Sequence, residues 1–148
     1  MPAKAVPDGY STISPYLMVK DADKFLKFLQ EAFGAKAGME PVRNPDGKIM
    51  HADVALGTSH IMFGEETKDS PAQPTSLYLY VEDCDKVFQQ ALKAGAKSRT
   101  ALADQFWGDR HGCVTDNFGN SWWISTHKQD VSADEIKKRA KEAMAKAA

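Results

Sequence analysis

Apolar positions along this chain fall into two spacings, alternating and helical, and the same succession of the two occurs twice. Ile13 to Val19 and Leu77 to Val81 carry the β-branched and aromatic residues that favour strands. Phe25, Phe28, Leu29, Ala32 and Phe33 then recur at helical spacing, as do Val87, Phe88, Ala91 and Leu92. Asp21 and Asp83 stand where a helix N-cap is wanted, because a carboxylate there accepts the unpaired amide hydrogens of the first turn. Gly34 and Gly95 stand at the opposite ends, where a left-handed backbone closes a helix. Three strands are expected after each helix: 35–43, 49–56 and 60–64 in the first copy, and 97–102, 113–116 and 121–126 in the second. Asn44-Pro-Asp-Gly47 supplies turn chemistry between the first two.

The two copies share a register. Val19 and Val81, Asp21 and Asp83, and Asp23 and Asp85 are each 62 residues apart, and so are Gly57 and Gly119. One spacing held across separated segments argues for a duplicated unit. The expected architecture is therefore α+β, a single domain of two tandem βαβββ modules forming a curved mixed sheet around a cup-shaped cavity. Module one spans about residues 11–66 and module two about 76–127, with a polar linker carrying Pro71 and Pro74 over about 65–75. Ser132-Ala-Asp-Glu135 reads as a capping box that opens an appended helix over about 132–147.

Composition narrows the function. A chain of 148 residues fits one domain, and the net charge of −1 removes the electrostatic case for nucleic acid or an anionic membrane. Cys84 and Cys113 form no metal-type or disulfide framework, which suits a reducing, cytoplasmic setting. No stretch reads as a signal peptide or a membrane span.

Several motifs together give the chain a family likeness. They are Ser14-Pro-Tyr-Leu-Met-Val-Lys-Asp21, Phe33-Gly-Ala35, Pro45-Asp-Gly-Lys-Ile-Met-His-Ala52 and Tyr80-Val-Glu-Asp83, with Phe106-Trp-Gly-Asp-Arg110 and Asp116-Asn-Phe-Gly-Asn-Ser-Trp122. On these, from about Ile13 to Thr126, the sequence resembles the vicinal oxygen chelate superfamily, which includes glyoxalase I and bleomycin-resistance proteins, and within it the PhnB-like branch. Leu29 and Asn117 depart from the branch, which often has Tyr and Pro there. The resemblance implies a homodimer and, in metal-dependent members, ligands on the first and last strands of each module. Counting back five residues from Val19 and Val81, and on four from Gly57 and Gly119, gives Ser14, Ser76, Ile61 and Trp123. None is a usual metal ligand, so no metal and no other cofactor is expected.

What remains points to binding. Ser14 and Tyr16 share a face, as do Ser76, Tyr78 and Tyr80, and such a lining suits a planar or amphipathic small molecule. His51, with Asp53 on its own face, is the candidate general base. Trp107 and Arg110 are expected on a loop that closes over a ligand, the guanidinium pairing an anionic group, and Trp123 is expected to point inward. His60 and His127 are expected to face solvent. The leading expectation is a homodimeric, metal-free binder of a small organic molecule. One alternative is an enzyme of lyase, isomerase or dioxygenase type, using His51 as base or a metal held by His51, Asp53 and His111. The other is a dimeric interaction protein whose cavity is filled.

Overall fold

The computed structural model of the chain describes residues 2–148, which divide into two compact units meeting between Thr75 and Ser76. The first unit runs β1 (Tyr16–Val19), α1 (Ala22–Phe33), β2 (Lys36–Ala37), β3 (Val42–Arg43), β4 (Ile49–Leu56) and β5 (Ser59–Glu65). Its sheet has the order β1-β5-β4-β2, with β3 also on β4. β1 lies parallel to β5, and β4 is antiparallel to β5.

Helix α1 begins as its caps dictate. Asp21 accepts from the Lys24 amide, while the Glu65 carboxylate takes the Asp21 and Ala22 amides at 2.9 and 2.7 Å, so β5 and the helix start are tied together. Gly34, at φ +68°, closes the helix by donating to the Gln30 carbonyl. The apolar face of α1 packs on Leu17, Val19, Ala52, Val54, Ile61 and Phe63, all buried, with Phe25 edge-on to Phe63 at 5.0 Å. Alternation along the strands turns Tyr16, His51, Asp53, His60 and Met62 to the opposite, open face.

The second unit repeats the plan as β6 (Ser76–Tyr80), α2 (Cys84–Lys93), β7 (Lys97–Asp104), β8 (Asp109–Thr115) and β9 (Ser121–His127), followed by α3 (Ala133–Ala147). Its sheet has the order β6-β9-β8-β7, again with the first strand parallel to the last. Asp83 caps α2, and Thr126 joins sheet to helix by accepting from the Cys84 amide while donating to the Val81 carbonyl. Trp122, Ile124, Val114 and Phe88 are buried, and Gly112 lies so close to the Phe88 ring that a side chain there would meet it at 2.8 Å. α3 starts on the Ser132 cap and buries no residue, and Arg139 ties it to the Phe106 carbonyl at 3.2 Å.

Two elements differ from the sequence expectation. The strand expected over 35–43 is two short pieces, because Pro41 has no amide to give a ladder. The loop expected over 106–111 is a tight turn at 105–108, and β8 already starts at Asp109. Among the described residues no helix is long and apolar enough to cross a membrane.

Candidate functional site

The densest polar cluster lies on the open face of the second unit, around Asp109. This residue is 2% exposed at the start of β8. Its Oδ2 accepts from the hydroxyls of Tyr78 (2.8 Å) and Tyr80 (3.0 Å) and from the Trp107 indole (3.0 Å), while Oδ1 pairs with His127 Nδ1 at 2.8 Å. Local structure explains the convergence. The 105–108 turn folds Trp107 back over the strand it has just entered, β6 presents Tyr78 and Tyr80 by alternation, and β9 pairs His127 directly opposite Asp109. Burial alone would push the Asp109 carboxyl up. The hydrogen bonds from His127, Tyr78, Trp107 and Tyr80 outweigh it and hold the pKa at about 2, so the group is a permanent anion near neutral pH.

Each partner answers to that anion. The Tyr78 hydroxyl is harder to ionise first because of burial, and the Tyr80 hydroxyl first because it donates to Asp109. His127 holds its proton more tightly, chiefly through Asp109 and then through Asp130 at 2.7 Å. A histidine with a raised folded pKa stabilises the fold fully below its ordinary value of ~6.5, and that contribution fades as the pH rises through the folded value. His127→Gln is therefore expected to lower the melting temperature more at about pH 5 than at about pH 9. Equal losses at both ends, read by calorimetry, would mean the imidazolium–Asp109 pair contributes nothing.

Beside this hub stands His111, 7% exposed, with rings on three sides: Trp123 at 4.9 Å, Trp107 at 5.2 Å and Tyr78 at 5.7 Å. Burial pushes its pKa down, against the pull of Asp109, so it is neutral near pH 7. Ser76, Tyr78, Tyr80 and Trp123 thus lie together on one open face with Trp107 at its end. Trp122 takes the other face, where it donates to Asp116. Arg110 also lies on the helix side, its guanidinium held by Asp85 at 2.8 Å and Asp104 at 3.4 Å rather than left for a ligand anion.

On the first unit, Tyr16 meets His51 Nδ1 at 3.2 Å, and Ser14 lies half-buried just before β1. Asp53 does not orient His51. Its carboxylate pairs with His60 Nδ1 at 2.8 Å and accepts from the Tyr10 hydroxyl, while the Tyr10 ring stacks on His60 at 4.0 Å. Asp109, His127, His60 and Tyr10 are the members that sequence reasoning did not place in a site, and His111 entered it only as a donor of the alternative metal site with His51 and Asp53. Strand pairing makes Tyr78–His111 the counterpart of Tyr16–His51, but the 62-residue register carries His51 to Cys113, so the repeat in the sequence does not mark it.

Over residues 11–124 the sequence matches the family described as the Glyoxalase/Bleomycin resistance protein/Dioxygenase superfamily. The chain belongs to that superfamily. It is 37% identical over 135 residues to protein Mb0911c of Mycobacterium bovis, covering 84% of this chain and 88% of that one. With YjdN of Escherichia coli it shares 33% identity over 90 residues, 57% of this chain and 60% of that protein. TioX from Micromonospora sp. ML1 superposes with a TM-score of 0.67 at 25% identity, over 79% of this chain and 98% of TioX. A PhnB protein from Bacillus cereus does so at 0.63 and 21% identity, over 78% and 99%, a likeness of fold alone.

Metal-dependent members of the superfamily place their ligands at the terminal-strand positions. Tyr16 pairs with Met62 and Tyr78 with Trp123, so the open-face position on β5 is Met62, while Ile61 packs under α1. The four places then carry Ser14, Met62, Ser76 and Trp123, which offer hydroxyls, a thioether and an indole. Neither unit's pair offers the imidazole or carboxylate that a divalent ion needs. Among the described residues no group of three or more His, Cys, Asp or Glu side chains is placed to hold one.

Proposed function

We propose that this superfamily member binds a small, planar organic molecule on the open face of its second module, without a metal, and works as a homodimer. The observation that carries the reading is the Asp109 hub. One buried carboxylate holds the donors of Tyr78, Tyr80 and Trp107 inward, which leaves their rings, with Trp123, fixed on a face still partly open: Tyr78 is 42% and Tyr80 61% exposed. Rings locked by hydrogen bonds lose little side-chain freedom when a ligand stacks on them. Two buried thiols, Cys84 and Cys113, support a reducing compartment as the place of work.

The test is a titration with a panel of planar aromatic compounds, followed by indole fluorescence and thermal shift. Binding is expected to quench the indoles and raise the melting temperature, and Trp123→Ala is expected to weaken it by roughly five- to a hundredfold, the loss of one stacking partner. Unchanged binding by Trp123→Ala would remove this face from consideration. Light scattering on the same sample is expected to return twice the chain mass of 16.3 kDa.

A further inference from the structure

Tyr78 has one proton and four polar neighbours: Asp109 Oδ2 at 2.8 Å, His111 Nδ1 at 3.1 Å, Ser125 Oγ at 3.2 Å and the Trp107 indole, which can only donate. The nearest is a full anion, so the proton points to Asp109. The phenol oxygen then turns lone pairs towards His111 Nδ1. Two lone pairs at that distance repel, so Nδ1 must carry hydrogen and donate to Tyr78. A neutral imidazole has a single N–H, and the remaining nitrogen, Nε2, is left with a lone pair.

Among the described residues no group hydrogen-bonds His111 Nε2, yet no buried side-chain nitrogen or oxygen lacks a partner. Nε2 is therefore not sealed in, and its ring stands on the open face with Trp107 at 5.2 Å and Trp123 at 4.9 Å. The first module lacks this device. His51 has the same tyrosine beside it, but the residue two places before it is Ile49, where His111 has Asp109, and nothing there dictates which way the Tyr16 proton points.

We propose that His111 Nε2 is the hydrogen-bond acceptor of this face, and that its ligand is a planar molecule presenting an acidic O–H or N–H, of the phenol or imide class. The inference rests on the reading that this face binds a small molecule. The charged groups around the imidazole decide the ligand's form. Asp109 on the same strand is an anion, His127 on β9 is paired with it, and the Arg99 guanidinium on β7 stands off over Trp123 at 6.0 Å. A ligand anion beside Asp109 would be repelled, so the ligand enters with its proton on. Asp109 acts as a positioning residue, because it sets the tautomer through Tyr78 without touching the ligand.

Long-range nitrogen–proton correlation spectra of the full chain, labelled in histidine and recorded at neutral pH, read the tautomer without any ligand. His111 is expected to show a protonated Nδ1 and a bare Nε2. Asp109→Asn is expected to release the tyrosine proton and shift the population towards Nε2–H, and Tyr78→Phe, which keeps the ring, is expected to remove the Nδ1 preference. 4-Nitrophenol then serves as probe. Its addition is expected to move the Nε2 resonance, with binding strongest while the phenol is protonated and weakened roughly three- to tenfold in Asp109→Asn, the loss of one neutral hydrogen bond. A wild-type Nε2–H tautomer would overturn the relay whatever binds. Nitrophenol that quenches the indoles but leaves Nε2 unmoved would overturn the acceptor role and spare the binding reading. A correct tautomer with no aromatic compound bound would overturn the ligand and that reading together.

Discussion

Phe63→Ala is expected to lower the unfolding free energy by ~3–5 kcal/mol, the range for emptying a fully buried aromatic site. Phe63 is 0% exposed and sits mid-way along β5, paired with Leu17 of β1 on one side and Ala52 of β4 on the other. Its ring edge meets the Phe25 ring at 5.0 Å and 88°, a geometry that adds ~0.5–1.5 kcal/mol beyond area burial. The neighbours that line the site come from three strands and a helix capped at both ends, so collapse into the gap is resisted. Phe63→Leu keeps most of the volume and is expected to lose only ~1 kcal/mol. Met50→Ala, at a half-exposed position on the neighbouring strand, is expected to stay within ~0.5 kcal/mol of the parent. Urea unfolding followed by far-ultraviolet circular dichroism measures all three. A loss below ~1 kcal/mol for the alanine variant would mean that Phe25 and its neighbours refill the site.

What the sequence makes legible is whatever repeats or caps. The two modules, their helix starts at Asp21 and Asp83, the αL closure at Gly34 and the strands over 49–56 and 121–126 all follow from local chemistry. Facing is harder to read, because a slip of one residue moves a whole strand to its other side. The last turns of the two modules differ in length. β4 reaches β5 through Gly57 and Thr58, whereas β8 reaches β9 through 116–120, a loop knotted by the Asp116 carboxylate accepting from the Phe118 and Asn120 amides. Counting from the shared turn glycine therefore lands on the helix face at Ile61 and on the open face at Trp123.

The Asp109 hub was hidden for a different reason. Trp107-Gly-Asp109 reads locally as a turn, and an aspartate in a turn is ordinarily wet. Only the strand order brings Tyr78, Tyr80 and His127 to it, from separations of 31, 29 and 18 residues. No local pattern records such a convergence. The facing of Arg110 follows from the same step: once β8 begins at Asp109, alternation sends its neighbour to the helix side, and Asp85 at the start of α2 is there to meet it.

Gly108→Ala is expected to destabilise by about 3 kcal/mol and to dismantle the site at the same time. Gly108 has φ +103°, which a side chain disfavours by ~1–3 kcal/mol on its own. An added Cβ would also stand 2.0 Å from the Gln129 carbonyl oxygen, which is backbone and cannot swing aside. That approach is not incidental, since the Gly108 carbonyl accepts the Lys128 and Gln129 amides at 2.8 and 3.0 Å, holding the chain after β9 against the turn. Relieving the clash must move one of these strands, and Trp107 and Asp109 flank the glycine directly. The loss should lower the melting temperature by roughly 10 °C for a domain of this length. Gly47→Ala separates the two effects. It has φ +88° but nothing within 4 Å of the added carbon, so only the backbone strain is expected there, ~1–2 kcal/mol. Equal losses in the two variants would show that the Gln129 contact carries no weight. A folded Gly108→Ala protein whose His111 tautomer is unchanged would show that the turn does not position the Asp109 hub.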